Sequence, residues 1–123
     1  MKDETSSPMG LRCVVEPDRE RVVVRPIGEI DLATVGAVER PLDELWGRGF
    51  RAIDLDLRWV PFMDSTGLRL IIRYSQRAEE DGVALRVDVL PGGPVHRLLE
   101  VTATLELLPV RLSGPAIDGL AAG

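Results

Sequence analysis

The chain has 123 residues, of which 45% are hydrophobic and 28% charged, and its formal net charge is -5. This length and composition are those of one ordinary globular domain, and the negative charge argues against a nucleic-acid partner. No apolar run approaches the roughly 20 residues that span a bilayer, and no signal peptide is visible, so we expect a cytoplasmic protein without a membrane partner. One cysteine, Cys13, and one histidine, His96, are too few soft ligands for a zinc site, and no metal or other cofactor is expected.

The N-terminal part of the chain predicts a tail followed by a hairpin. Residues 1–10 are polar, which predicts a flexible N-terminal tail. Two short strand-like runs, at 11–15 and 21–26, flank a Pro-Asp-Arg-Glu turn, and this close spacing is typical of a β-hairpin. Cys13 lies in the first run and is expected to be a small buried hydrophobe.

A first helix is predicted after the turn that follows the hairpin. This turn ends at Asp31, a residue type that caps helix N-termini, and apolar residues then recur at helical spacing from Leu32 onward. Gly47 ends the helix. Pro41 lies inside it and is expected to kink or split the helix near Glu39, because proline cannot donate the backbone hydrogen bond.

The remainder of the chain alternates strand-like and helix-like segments. They are predicted as a strand at 51–60, a helix at 65–81, a strand at 83–90, a short helix at 95–101 and an edge strand at 107–112. Residues 113–123 are predicted as a C-terminal tail or a weak helix, so the domain proper spans 11–112. A hairpin followed by strand-helix-strand units indicates an α/β fold with one mixed sheet of four or five strands. Because the strand at 51–60 alternates apolar and charged residues, the helices are expected mainly on one face.

The apolar face of each predicted element should be buried against its neighbours. Asp54 and Asp56 alternate with apolar residues and should lie on the opposite, solvated face of the sheet with Arg58. Together with Asp64 they also suggest an alternative, a magnesium site in a small metal-dependent hydrolase or phosphotransferase. The predicted core consists of Leu32, Val35, Val38, Leu42, Ile53, Leu55, Leu57, Leu68, Ile71, Ile72, Val87 and Leu98.

The loop Asp64-Ser65-Thr66-Gly67 joins the end of a predicted strand to the start of a helix, where α/β sheets usually carry their sites. Backbone N–H groups at a helix N-terminus are unpaired and partly positive, and a hydroxyl there, such as that of Ser65, is open to modification. Ser65 is a poor hydrolytic nucleophile because no base is evident. Taken alone, the motif is also explained by a helix N-cap at Ser65 or Asp64.

Three segments of the chain resemble the STAS-domain family, and within it the stand-alone bacterial anti-sigma-factor antagonists. Residues 24–31 are similar to the family's strand followed by Gly-Glu-(Leu/Ile)-Asp. Residues 53–68 look like its strand and phosphorylation loop, and residues 95–102 resemble its short third helix. The middle segment is the one that is specific to the family. The likeness as a whole covers roughly residues 11–112. The resemblance implies a STAS-like single α/β domain.

The resemblance also implies a binding switch and no enzyme activity. In the family, an anti-sigma factor with serine-kinase activity holds a sigma factor inactive, and the unphosphorylated antagonist binds this kinase and frees the sigma factor. Phosphorylation of the first hydroxyl after the loop Asp ends the binding, and a serine phosphatase restores it. By position this hydroxyl is Ser65, and the implied partner-binding residues around it are Asp31, Asp64, Thr66 and Gly67.

Alternatives remain open within this resemblance. A STAS scaffold or transporter accessory subunit would use the same face without phosphorylation, and Thr66 is a rival phosphate acceptor. The chain also departs from the family at Ala103 and Thr104, where Gly and Leu are usual, which puts the local turn in question. Pro41 inside the first helix is a second departure, and it could alter the partner-facing surface.

Overall fold

A computed structural model describes residues 3–6 and 10–114 of the chain. The strands are β1 Asp3–Ser6, β2 Arg12–Asp18, β3 Arg21–Ile27, β4 Ala52–Asp56, β5 Ala84–Val89 and β6 Val110–Leu112. The helices are α1 Gly36–Gly47, α2 Ser65–Asp81 and α3 Pro94–Val101, followed by a 3-10 helix at Leu105–Leu107. Within this part of the chain, no helix combines the length and the apolar character needed to cross a membrane.

The six strands form one mixed sheet in sequential order, from β1 to β6. β1, β2 and β3 pair antiparallel, whereas β3, β4, β5 and β6 pair parallel. The β2–β3 pairing confirms the predicted hairpin, and Arg19, with a φ of 61°, turns the chain between its strands. β1 pairs with the outer edge of β2, where Asp3 lies opposite Val15. The sequence predicted a flexible tail for this segment, and the sheet has one edge strand more than expected.

The three helices pack on one face of the sheet and enclose the core, as predicted for this α/β fold. Cys13 is buried there, and burial raises the pKa of its thiol to about 12, so it serves as a small hydrophobe. Most of the predicted core is confirmed. The fully buried members are Val38, Leu42, Ile53, Leu55, Leu57, Ile71 and Val87, and the partly buried ones are Val35, Leu68, Ile72 and Leu98.

The first helix begins later than predicted. α1 starts at Gly36, and Asp31 caps a separate preceding turn, because its Oδ1 accepts the backbone N–H groups of Ala33 and Thr34 at 2.9 and 3.1 Å. Leu32 lies in this turn and is 82% exposed. The prediction that Leu32 belongs to the core is therefore wrong, since the turn does not continue the apolar face of α1.

Pro41 does not split α1, which continues through it as one helix. The proline ring is buried against the core, and this burial offsets part of the lost hydrogen bond. Side chains also tie α1 to α2. Trp46 Nε1 donates to Asp81 Oδ2 at 2.9 Å, and the Tyr74 hydroxyl donates to Asp43 Oδ1 at 2.5 Å. The position of α1 thus rests on tertiary contacts that local propensity does not reveal.

The helix-free face of the sheet carries buried carboxylates. Asp54 and Asp56 of β4 and Asp88 of β5 lie there, and only 3%, 0% and 4% of these residues are exposed. The expectation of a solvated face at Asp54 and Asp56 is therefore wrong, because guanidinium groups from neighbouring segments replace water as hydrogen-bond donors. Arg21 and Arg86 pair with Asp54, Arg25 and Arg58 with Asp56, and Arg111 with Asp88.

The turn after α3 is well formed despite its departure from the family sequence. Ala103 adopts a φ of 58°, the left-handed region that glycine favours, at a cost of roughly 1 kcal/mol. The Thr102 hydroxyl donates to the Leu98 carbonyl at 2.7 Å, and the Thr104 N–H donates to the Leu99 carbonyl at 3.0 Å. These hydrogen bonds close the turn without the usual glycine.

Candidate functional site

The candidate site lies at the N-terminus of α2. Asp64 is the N-cap residue, and its Oδ1 accepts the backbone N–H of Thr66 at 2.8 Å. Ser65 is the first residue of α2 and is exposed, and its hydroxyl has no hydrogen-bond partner among residues 3–6 and 10–114. The capping role therefore belongs to Asp64, and the hydroxyl of Ser65 is accessible to another protein.

Two loops meet beside this helix terminus. The backbone N–H of Ile30 donates to the Phe62 carbonyl at 3.0 Å, and the N–H of Asp64 donates to the Ile30 carbonyl at 3.3 Å. Ile30 also forms a parallel bridge with Met63. The segment that leads into Asp31 therefore lies against the segment that leads into Asp64. Of the predicted partner-binding residues, these two carboxylates and Thr66 are half-buried.

Gly67, by contrast, is buried beneath the loops. A Cβ atom at Gly67 would lie 2.0 Å from Met63 Cγ and 3.2 Å from Ile30 Cγ2. The absence of a side chain thus allows both loops to approach the first turn of α2. Because Gly67 is covered, we interpret its contribution to the site as close packing that positions Asp64 and Ser65.

Gly67→Ala is expected to destabilise the fold by about 1–3 kcal/mol, because the added methyl overpacks the contact with Met63. Gly47→Ala is the matched control, since a Cβ there meets nothing within 4 Å and the position lies at the exposed end of α1. It should change the free energy of unfolding by less than about 0.5 kcal/mol or stabilise slightly. Equal effects of the two changes in urea unfolding would contradict the packing role.

Three exposed apolar residues lie on the two loops beside the site, and their exposure was not predicted from the sequence. Leu32 is 82% exposed, Phe62 47% and Trp59 36%. Trp59 and Phe62 lie in the loop after β4, and backbone hydrogen bonds from Gly28 and Ile30 join this loop to the one that carries Leu32. Phe62 lies outside the predicted strands and helices, and this position was the available signal for its exposure. Trp59 lies within the predicted strand at 51–60 and gave no such signal.

Asp54, Asp56 and His96, the residues that bear on an alternative hydrolytic or metal centre, are engaged in other contacts. Residues 3–6 and 10–114 contain no group of three His, Cys, Asp or Glu side chains that could hold a metal ion. Asp54 and Asp56 are paired with arginines on the helix-free face. His96 of α3 is engaged locally, because its Nδ1 accepts the Gly92 N–H at 2.8 Å. The N–H groups of a helix N-terminus favour an anion such as phosphate, and the exposed Ser65 hydroxyl lies at the N-terminus of α2.

Comparisons with known proteins agree with this fold. Residues 13–114 match the STAS domain family. The anti-sigma F factor antagonist of Paenibacillus polymyxa is 36% identical over 104 residues, which are 83% of this chain and 87% of that protein. The crystal structure of an anti-sigma factor antagonist from Mycobacterium paratuberculosis superposes with a TM-score of 0.73 at 25% identity, over 96% of this chain and 97% of that one. The unphosphorylated antagonist SpoIIAA has the same fold, with a TM-score of 0.63 and 21% identity over 89% of this chain and 96% of its own. The chain therefore belongs to the STAS-domain family.

Proposed function

We propose that this chain is an anti-sigma-factor antagonist whose partner binding is switched off by phosphorylation of Ser65. The unphosphorylated form binds an anti-sigma factor that is also a serine kinase and so frees a sigma factor, and a serine phosphatase restores this form. The chain is then a cytoplasmic binding protein and kinase substrate, and it catalyses no reaction itself. The observation that carries the proposal is the exposed hydroxyl of Ser65 at the start of α2, in a chain similar to antagonists over most of its length.

The electrostatics of the site support a switch that acts on binding and leaves the fold intact. A phosphate on Ser65 adds a charge of roughly -1.5 to -2 beside the carboxylates of Asp64 and Asp31. A partner surface matched to a neutral hydroxyl would then enclose like charges, at a cost of several kcal/mol. The first turn of α2 holds no acidic residue, and its free N–H groups can stabilise the phosphate by up to about 2 kcal/mol.

The test begins with capture of the kinase from the native cell on immobilised chain, followed by phosphate transfer from ATP with the purified kinase. We expect one phosphate, located on Ser65 by peptide mass spectrometry. Ser65→Ala should block the transfer and leave binding largely intact, because alanine keeps the site uncharged and small. Ser65→Glu should weaken binding at least 10-fold, about 1.4 kcal/mol. Circular dichroism should show both variants folded like the wild type.

Thr66→Ala is the matched control, because Thr66 is the neighbouring hydroxyl and the rival acceptor. This variant should still be phosphorylated at Ser65. Phosphate on Thr66, or equal binding of the kinase by wild type and Ser65→Glu, would contradict the proposed switch. A partner that binds while Ser65 stays unmodified in the cell would instead indicate a STAS scaffold or transporter accessory subunit.

A further inference from the structure

Leu32 is a large apolar side chain that contributes almost nothing to the core of the fold. It is 82% exposed in the turn before α1, although its sequence position predicts burial. Single exposed leucines are common in soluble proteins, but this one lies on a loop that is hydrogen-bonded to the loop carrying Phe62, which is itself 47% exposed. Two large apolar groups are therefore exposed on adjoining loops beside the N-terminus of α2.

The turn that presents Leu32 is held rigidly by Thr34. The Thr34 hydroxyl donates to the Glu29 carbonyl at 2.7 Å and accepts the backbone N–H of Asp31 at 3.0 Å. Asp31 Oδ1 in turn accepts the N–H of Ala33 at 2.9 Å. Thr34 is only 3% exposed, so water does not compete for these hydrogen bonds. The conformation of the turn is thus fixed before any partner arrives, which lowers the entropic cost of binding.

The charges around Leu32 indicate the chemistry of the matching surface. Asp31 precedes it in the same turn, and Asp64 lies on the adjoining loop. Protein interfaces commonly bury apolar anchors at the centre and place complementary charges around them. A protein surface with an apolar pocket and basic side chains at its rim would fit this arrangement.

We propose that Leu32 is an apolar anchor that inserts into such a pocket on the anti-sigma kinase, and that Thr34 is the residue that positions it. The inference rests on the proposed function, because it assigns binding determinants to the partner that Ser65 regulates. It adds a source of affinity that is independent of phosphate. Leu32 supplies buried apolar surface, whereas Ser65 decides whether the neighbouring charges permit the contact.

The test uses the purified kinase that transfers phosphate to Ser65, and it measures dissociation constants by isothermal titration calorimetry. Leu32→Ala should weaken binding at least 10-fold without changing thermal unfolding, since the side chain contacts solvent in the free protein. Leu107→Ala is the matched control, because Leu107 is 79% exposed in the 3-10 helix outside the site. It should change affinity less than 2-fold. Equal affinities of the two variants would overturn the role of Leu32.

The positioning role of Thr34 has a separate readout in the free protein. Thr34→Val keeps the shape of the side chain and removes its hydroxyl, so the Asp31 amide should exchange its hydrogen at least 10-fold faster and kinase binding should weaken. Thr34→Ser retains the hydroxyl and should restore both properties. A Thr34→Val protein with unchanged exchange and affinity would overturn the positioning role. If Ser65→Glu weakens binding and Leu32→Ala does not, the anchor is wrong and the switch stands; if the wild type binds no kinase, both proposals fail.

Discussion

Replacing Asp56 by alanine is expected to destabilise the protein by about 3 kcal/mol, because removal of one partner from a buried ion pair leaves the other uncompensated. Asp56 is fully buried and accepts hydrogen bonds from Arg25 Nε and Arg58 Nε, each at 2.9 Å. The two arginines keep 21% and 15% of their side chains exposed and can turn partly to water. The loss should therefore lie at the lower end of the usual range of about 3–5 kcal/mol. Urea unfolding measures it.

Glu80→Gln is the control for this change, because Glu80 is an exposed carboxylate on α2. It should alter the free energy of unfolding by no more than about 0.5 kcal/mol. A loss below about 1 kcal/mol for Asp56→Ala would mean that Asp56 contributes little to the stability of the sheet.

The same carboxylate should make the fold sensitive to acid. Burial by itself would raise the pKa of Asp56, but the hydrogen bonds from Arg58 and Arg25 outweigh it and hold the pKa below its usual range. The stabilisation is therefore complete above the ordinary aspartate pKa of about 3.9 and is lost as pH falls through the folded-state value. Asp56→Asn should show a smaller decline in stability on acidification. Parallel pH profiles of the two proteins would contradict this assignment.

Leu55→Ala is expected to cost about 2–5 kcal/mol, the usual range for large-to-small changes in a core. Leu55 lies at the centre of β4, paired with Val24 of β3 and Val87 of β5, and all three side chains are fully buried. The cavity would open between the sheet and its helices, where the rigid strands cannot collapse to fill it. Denaturant unfolding gives the difference in free energy.

Leu107→Ala serves again as the control, because it deletes the same atoms from a side chain that is 79% exposed. It should cost less than about 0.5 kcal/mol. A loss below about 1 kcal/mol for Leu55→Ala would show that β4 does not form the centre of the core.

Local signals in the sequence determined the hairpin, α2 and the position of Ser65. α2 spans residues 65–81, as predicted, because a capping residue lies at each of its ends. Asp64 caps the N-terminus with its side chain, and Gly82 takes the left-handed conformation, with a φ of 71°, at the C-terminus. Such signals act within a few residues, so they can be read without knowledge of the fold.

Tertiary structure alone decided the environment of the site and of the aspartates in β4. The exposure of Leu32 follows from where the turn ends and α1 begins, and the proximity of Asp31 to Asp64 follows from the pairing of Ile30 with Met63. The alternation of β4 predicted which face Asp56 occupies, but its burial depends on arginines that other segments of the chain supply. The alternating pattern along one strand specifies to which face of the sheet each side chain points. Whether that side chain is buried depends on which side chains from distant parts of the chain cover the same face.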